Sequence, residues 1–79
     1  MSTKATFYHA GCPVCVAAEQ MVAEGLDRSK FDVEVVHLGL HISRIAEAER
    51  VGVRSVPALV IGGQPFHINH GADLAALKA

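Results

Sequence analysis

Apolar and polar residues follow one another along this chain in short blocks, and their period switches repeatedly between that of a strand and that of a helix. Ala5-Thr6-Phe7-Tyr8-His9 is a β-prone run that Gly11 ends. From Val14 to Leu26 the spacing becomes helical: Cys15, Ala18, Val22 and Leu26 share one face, with Glu19 and Glu24 outside it. Pro13 suits the first turn, where its missing N–H costs nothing. Gly25 and the polar Asp27-Arg28-Ser29-Lys30 stop the helix. Phe31 to Leu38 returns to a period of two. Phe31, Val33 and Val35 stand against Asp32 and Glu34, the pattern of a half-buried strand at a sheet edge. Ser43 is placed to cap a second helix with Ile45, Ala46 and Ala48 as its apolar positions, and Gly52 ends it. Ala58 to Ile61 is a short apolar strand. Gly62-Gly63 makes a tight hairpin turn, and Gln64 to Ile68 returns as its partner. A last helix over about Ala72 to Lys78 buries Leu74 and Leu77. Asp73 in its first turn and Lys78 in its last suit the helix dipole.

The predicted order is β-α-β-α-β-β-α in a single domain over residues 1–79. The first βαβ unit should be a right-handed parallel crossover and the last two strands an antiparallel hairpin. The class is therefore α/β, a four-stranded mixed sheet flanked by helices.

Charge and length narrow the function. Seven basic and eight acidic residues are scattered along 79, for a net charge of −1, so no basic face invites nucleic acid. The longest apolar run, Val56 to Ile61, is far short of a membrane span. The apolar stretch after Met1-Ser2-Thr3-Lys4 is too short for a secretory leader. The expectation is a cytoplasmic protein, monomer or homodimer. In the cytoplasm thiols are kept reduced, and a two-cysteine motif reads as catalytic or metal-binding.

Those two cysteines are Cys12 and Cys15, in Cys12-Pro13-Val14-Cys15. A bridge between them closes almost no loop, so it makes a poor structural staple. Cys12 falls between a strand and a helix that begins right after it. The unpaired N–H groups and the dipole at a helix start favour a thiolate over a thiol, which lowers the pKa of Cys12. Cys15 lies one turn further in and more buried. The roles follow: Cys12 attacks a substrate disulfide, and Cys15 attacks the mixed disulfide and releases the reduced product. The alternative is a metal or iron–sulfur cluster module held through the same pair. Two cysteines supply only half of a zinc site, and His9, His37, His41, His67 and His70 are the residues that would have to complete it. Copper(I) needs only two thiolates.

The element order, the Cys12-Pro13-Val14-Cys15 junction and the segment Gly52-Val53-Arg54-Ser55-Val56-Pro57-Ala58-Leu59-Val60-Ile61 together resemble the thioredoxin and glutaredoxin superfamily over essentially the whole chain. The resemblance implies a minimal thioredoxin fold and a protein-disulfide oxidoreductase with no cofactor beyond the redox-active Cys12–Cys15 disulfide. It also implies that Pro57 is cis and faces the cysteines. Val56 and Pro57 would then present an extended substrate segment, with Pro13 and Val14 beside them. The implied partners are protein disulfides and an upstream reductase, or a reductase to which this chain donates electrons.

Pro13 after the first cysteine and the short length are similar to glutaredoxins, as is the tail His67-Ile68-Asn69-His70-Gly71-Ala72-Asp73-Leu74. Three positions depart from that branch. Asn69-His70 stands where glutaredoxins carry paired glycines, Val14 replaces a tyrosine, and the lysine before the first cysteine is absent. The departures count against glutathione as a partner, unless His70 replaces a lost contact. The chain has no tryptophan, which separates it from thioredoxins proper. His9, three residues before Cys12, has two readings: a modulator that exchanges protons with the Cys12 thiol, or, the preferred one, a solvated loop histidine. Tyr8 reads as core or rim, and Asp73 as a helix-start residue.

Overall fold

A computed structural model describes residues 3–11, 13–27 and 29–78, with the side chains of residues 69, 70 and 78 left aside. Four strands and three helices follow in the predicted order: β1 (Thr3–His9), α1 (Pro13–Gly25), β2 (Phe31–His37), α2 (Ile45–Arg50), β3 (Ser55–Ile61), β4 (Gln64–Asp73) and α3 (Leu74–Lys78). The sheet order is β2-β1-β3-β4. β1 and β2 run parallel, whereas β3 is antiparallel to both β1 and β4. The expected α/β fold is the observed one, with β2 at an edge. No helix among the described residues is long and apolar enough to cross a membrane.

The alternation along each strand divides the core in two. Ala5 and Phe7 of β1 point to one face, where Ala18 and Val22 of α1 and Leu59 of β3 pack on them. Tyr8 points to the other face and joins Val36, Leu38, Ile45, Ala48, Val53 and Leu74. Cys15 departs from its helical neighbours. It is fully buried, but it packs in this second cluster, with Val56 and Leu74. The first turn of α1 therefore reaches past the end of the sheet, while the rest of the helix lies flat on it.

Local chemistry explains where elements stop. Gly52 takes φ +95°, its N–H donates to Glu49 and the Val53 N–H donates to Ala48, so the open carbonyls at the end of α2 are satisfied in a Schellman motif. Gly62 and Gly63 take φ +59° and +79°, the two positive values that a type I′ hairpin turn requires.

Several sequence expectations shift. β1 begins at Thr3, because Lys4 pairs with Asp32 in the ladder and reaches Glu34 at 3.4 Å. In β2 the deeply buried residue is Val36, and Val35 is exposed, because α1 covers the other face only partly at this edge. Ser43 does not cap α2. It lies in a 3₁₀ turn, Ile42–Arg44, that feeds into the helix, whose N-cap Arg44 makes no side-chain cap bond. Ile45 and Ala48 are buried as expected, but Ala46 is exposed. β4 continues to Asp73 and α3 starts at Leu74, so Asp73 precedes that helix. The physical reason lies in β3. Ala58 pairs with His67, but Val56 pairs with Ala72, so the register shifts at Pro57, which has no N–H to give the ladder.

Candidate functional site

The site forms where β1 and β2 end side by side and α1 begins. Pro13, the residue after Cys12, is the first residue of α1. It is exposed, Val14 is half-buried and Cys15 is fully buried. Cys12 itself lies outside the described residues, as does the side chain of His70. Val56 and Pro57 are both fully buried, and the peptide bond between them is cis, as the resemblance implied. Cys15 and Val56 thus meet in one cluster although 41 positions separate them in the chain (56 − 15).

Parallel pairing places His9 directly beside His37. Their rings lie 4.6 Å apart at an angle of 60°, and His9 also stacks on Phe7 at 5.6 Å. His9 is buried at 7% exposure, so the solvated-loop reading is overturned: it is the last residue of β1, roofed by α1. Its Nδ1 accepts the Gly11 N–H at 3.2 Å, and its Nε2 lies 3.6 Å from Glu19 Oε1 on α1. Burial holds the His9 pKa below its ordinary value. Charge on His37 pushes the same way, and Glu19 opposes both.

His37 is placed by glycines. Its Nδ1 accepts the Leu40 N–H at 3.2 Å. A Cβ on Gly11 would stand 2.7 Å from its Nε2, and a Cβ on Gly39 2.8 Å from its Cε1. The ring fits only because both positions lack a side chain. In the sequence His37 stands out only as a metal candidate, and Gly39 has no evident role. A signal was present: His9-Ala10-Gly11 and His37-Leu38-Gly39 are the same His-x-Gly pattern at the ends of two strands.

Of the other metal candidates, His67 and His41 do not converge on this pair. His67 Nε2 accepts the Arg54 N–H at 3.2 Å, and His41 is exposed beyond β2. Among the described residues no group of three or more His, Cys, Asp or Glu side chains is arranged to hold a metal. On the opposite face of the sheet the Tyr8 hydroxyl donates to Glu47 at 2.6 Å. Arg44 bridges Glu47 and Glu34 at 2.8 and 3.2 Å, so these charges satisfy one another.

A parallel-then-antiparallel four-stranded sheet with a cysteine in the first turn of its first helix, packed in one cluster with the residue that precedes a cis proline, defines a thioredoxin-like protein. The chain belongs to the thioredoxin domain family, whose model matches residues 3–68. It is similar to a dimeric thioredoxin-like protein of Nitrosomonas europea known from a solution NMR structure. The identity is 63%, the alignment covers 100% of this chain and 99% of that one, and the TM-score is 0.92. No curated protein sequence matches the chain.

Proposed function

We propose that the chain is a thiol–disulfide oxidoreductase acting on protein disulfides, or donating electrons to a reductase, through Cys12 and Cys15. The observation that carries this reading is the fully buried Cys15 in the first turn of a helix that begins immediately after Cys12. A thiolate at the helix start meets unpaired N–H groups and the positive end of the dipole, whereas a sulfur inside the core is kept from solvent. The Cys12 thiolate attacks one sulfur of a substrate disulfide, an S–S bond forms to Cys12, and the substrate's other sulfur leaves as a thiolate. The Cys15 thiolate then attacks Cys12, the Cys12–Cys15 disulfide forms, and the second substrate sulfur leaves. Two electrons pass to the substrate, and an upstream dithiol returns them. Pro13, which is exposed, and Val14, which is half-buried, supply the surface on which the substrate segment lies, and Val56 and Pro57 join it only if their cover is displaced.

An insulin-reduction assay tests the assignment. Cys12→Ser should lose all turnover, and Cys15→Ser should accumulate the mixed disulfide. Full activity in Cys12→Ser would sink the proposal.

The same reading extends to a homodimer, the state named for the Nitrosomonas relative. Of the two sheet edges, β2 carries Asp32 and Glu34, whereas β4 has no Lys, Arg, Asp or Glu from Gln64 to Ala72. Phe66 and Ile68, two residues apart on β4, are both exposed. Charged side chains blunt the β2 edge, so the second copy docks at β4.

A further inference from the structure

Gly11, the residue before the first cysteine, is held from two sides by imidazoles. The Gly11 N–H donates to His9 Nδ1, and the His37 ring lies against the Gly11 backbone where a side chain would otherwise be. We infer that His9 and His37 are positioning residues, a clamp that works only while His9 is neutral, and that acid opens it by turning the Gly11 acceptor into a donor.

The hydrogen bonds assign the tautomers. Nδ1 of His9 accepts from Gly11 and Nδ1 of His37 accepts from Leu40, so each neutral ring carries its proton on Nε2. A second proton on His9 can go only to Nδ1. There it meets the Gly11 N–H head on, and two donors face one another where a bond had been. The groups facing His9 are Glu19 from α1, His37 from β2, and the Gly11 N–H of its own turn. Among the described residues only Glu19 favours the charged ring, and burial and His37 oppose it. The clamp is therefore closed at neutral pH.

Gly11 cannot shift toward β2, because His37 fills the space on that side. Its φ of +80° lies in a backbone region that glycine adopts readily and few other residues do. A change at His9 is passed along the backbone to the next residue in the chain, which is Cys12. The effect on thiol chemistry rests on the proposed oxidoreductase function, but the clamp itself does not.

The test separates the two. In 15N-labelled protein, the Gly11 amide resonance should titrate with the same midpoint as the His9 ring, and that midpoint should lie below 6.5, the ordinary value for histidine. His9→Asn keeps an acceptor near the Nδ1 position but cannot titrate, so its Gly11 resonance should stay still with pH. The second measurement is the alkylation rate of Cys12, corrected for thiolate fraction by ultraviolet absorbance. Wild type should slow by about fivefold as His9 protonates, the loss expected for one backbone hydrogen bond. His9→Asn should hold the neutral-pH rate without the acid step, and His9→Phe should be slow at every pH. A Gly11 resonance indifferent to His9 titration overturns the clamp, as does equal slowing of the Asn and Phe variants, which marks a packing role only. A titrating Gly11 amide with no insulin reduction keeps the clamp and discards the oxidoreductase reading.

Discussion

The hydroxyl of Tyr8 and the carboxylate of Glu47 meet at 2.6 Å across the face of the sheet that α1 leaves uncovered, although 39 positions separate them. This contact ties β1 to α2 and explains why a β-strand tyrosine can be almost wholly buried. Burial and the nearby carboxylate push the Tyr8 pKa well above its ordinary value. Tyr8→Phe keeps the ring and removes the hydroxyl while Glu47 retains Arg44. Urea unfolding should show a loss of about 1 kcal/mol, the net worth of one hydrogen bond.

Arg44 makes the same region sensitive to acid. Its guanidinium holds the carboxyls of Glu34 and Glu47 below their ordinary value of 4.5. A depressed carboxyl pKa stabilises the fold above the unfolded value, and this is lost as pH falls through the folded one. Thermal unfolding followed below pH 4.5 should show a shallower decline in Arg44→Met than in wild type. The pairs are largely exposed, so 0.5 M salt should reduce the difference. An unchanged acid limb in Arg44→Met would remove the network from the stability of the protein.

His9 contributes a second pH dependence, in a different window. Its folded pKa is lowered, so the unfolded chain binds more protons, and stability falls as pH drops below 6.5 toward the folded midpoint. Unfolding midpoints measured between pH 7.5 and 5.5 should decline in wild type and stay level in His9→Asn. Glu19→Gln removes a group that favours the charged ring and should move the His9 titration lower still, read directly from its ring protons.

Two glycine substitutions should act in opposite directions. Nothing lies within 4 Å of a Cβ on Gly25, so Gly25→Ala at the end of α1 should stabilise by about 0.5 kcal/mol. On Gly39 the new methyl meets the His37 ring at 2.8 Å, so Gly39→Ala should destabilise by roughly 1–3 kcal/mol and move the His37 resonances. If both variants are neutral, the packing of the ring against the glycine is not what fixes it.

The proposed dimer is tested at β4. Sedimentation equilibrium of wild type should give twice the chain mass. Phe66→Lys combined with Ile68→Lys should give the monomer with an unchanged far-ultraviolet spectrum. A folded double variant that remains dimeric places the interface elsewhere.

Much of this was legible in the residues. The element order, the edge position of β2, the Gly62-Gly63 turn and the burial of Cys15, Ala18 and Val22 follow from periodicity and from turn chemistry. The extent of β4 does not, because it depends on where β3 resumes pairing after Pro57, a long-range matter. Val35 and Val36 illustrate a second limit. Alternation shows that two faces exist, but which is deeper depends on what covers each. His9 shows a third. A histidine before a glycine reads as loop until parallel pairing sets a second His-x-Gly beside it and a helix closes over both.

Cys15 packs among Val56 and Leu74 with none of its surface open to water. No external disulfide can reach that sulfur while the core is closed. Any bond it makes must be to an atom this chain delivers. Its chemistry is intramolecular by construction, and under the proposed function electrons have one entrance, not two.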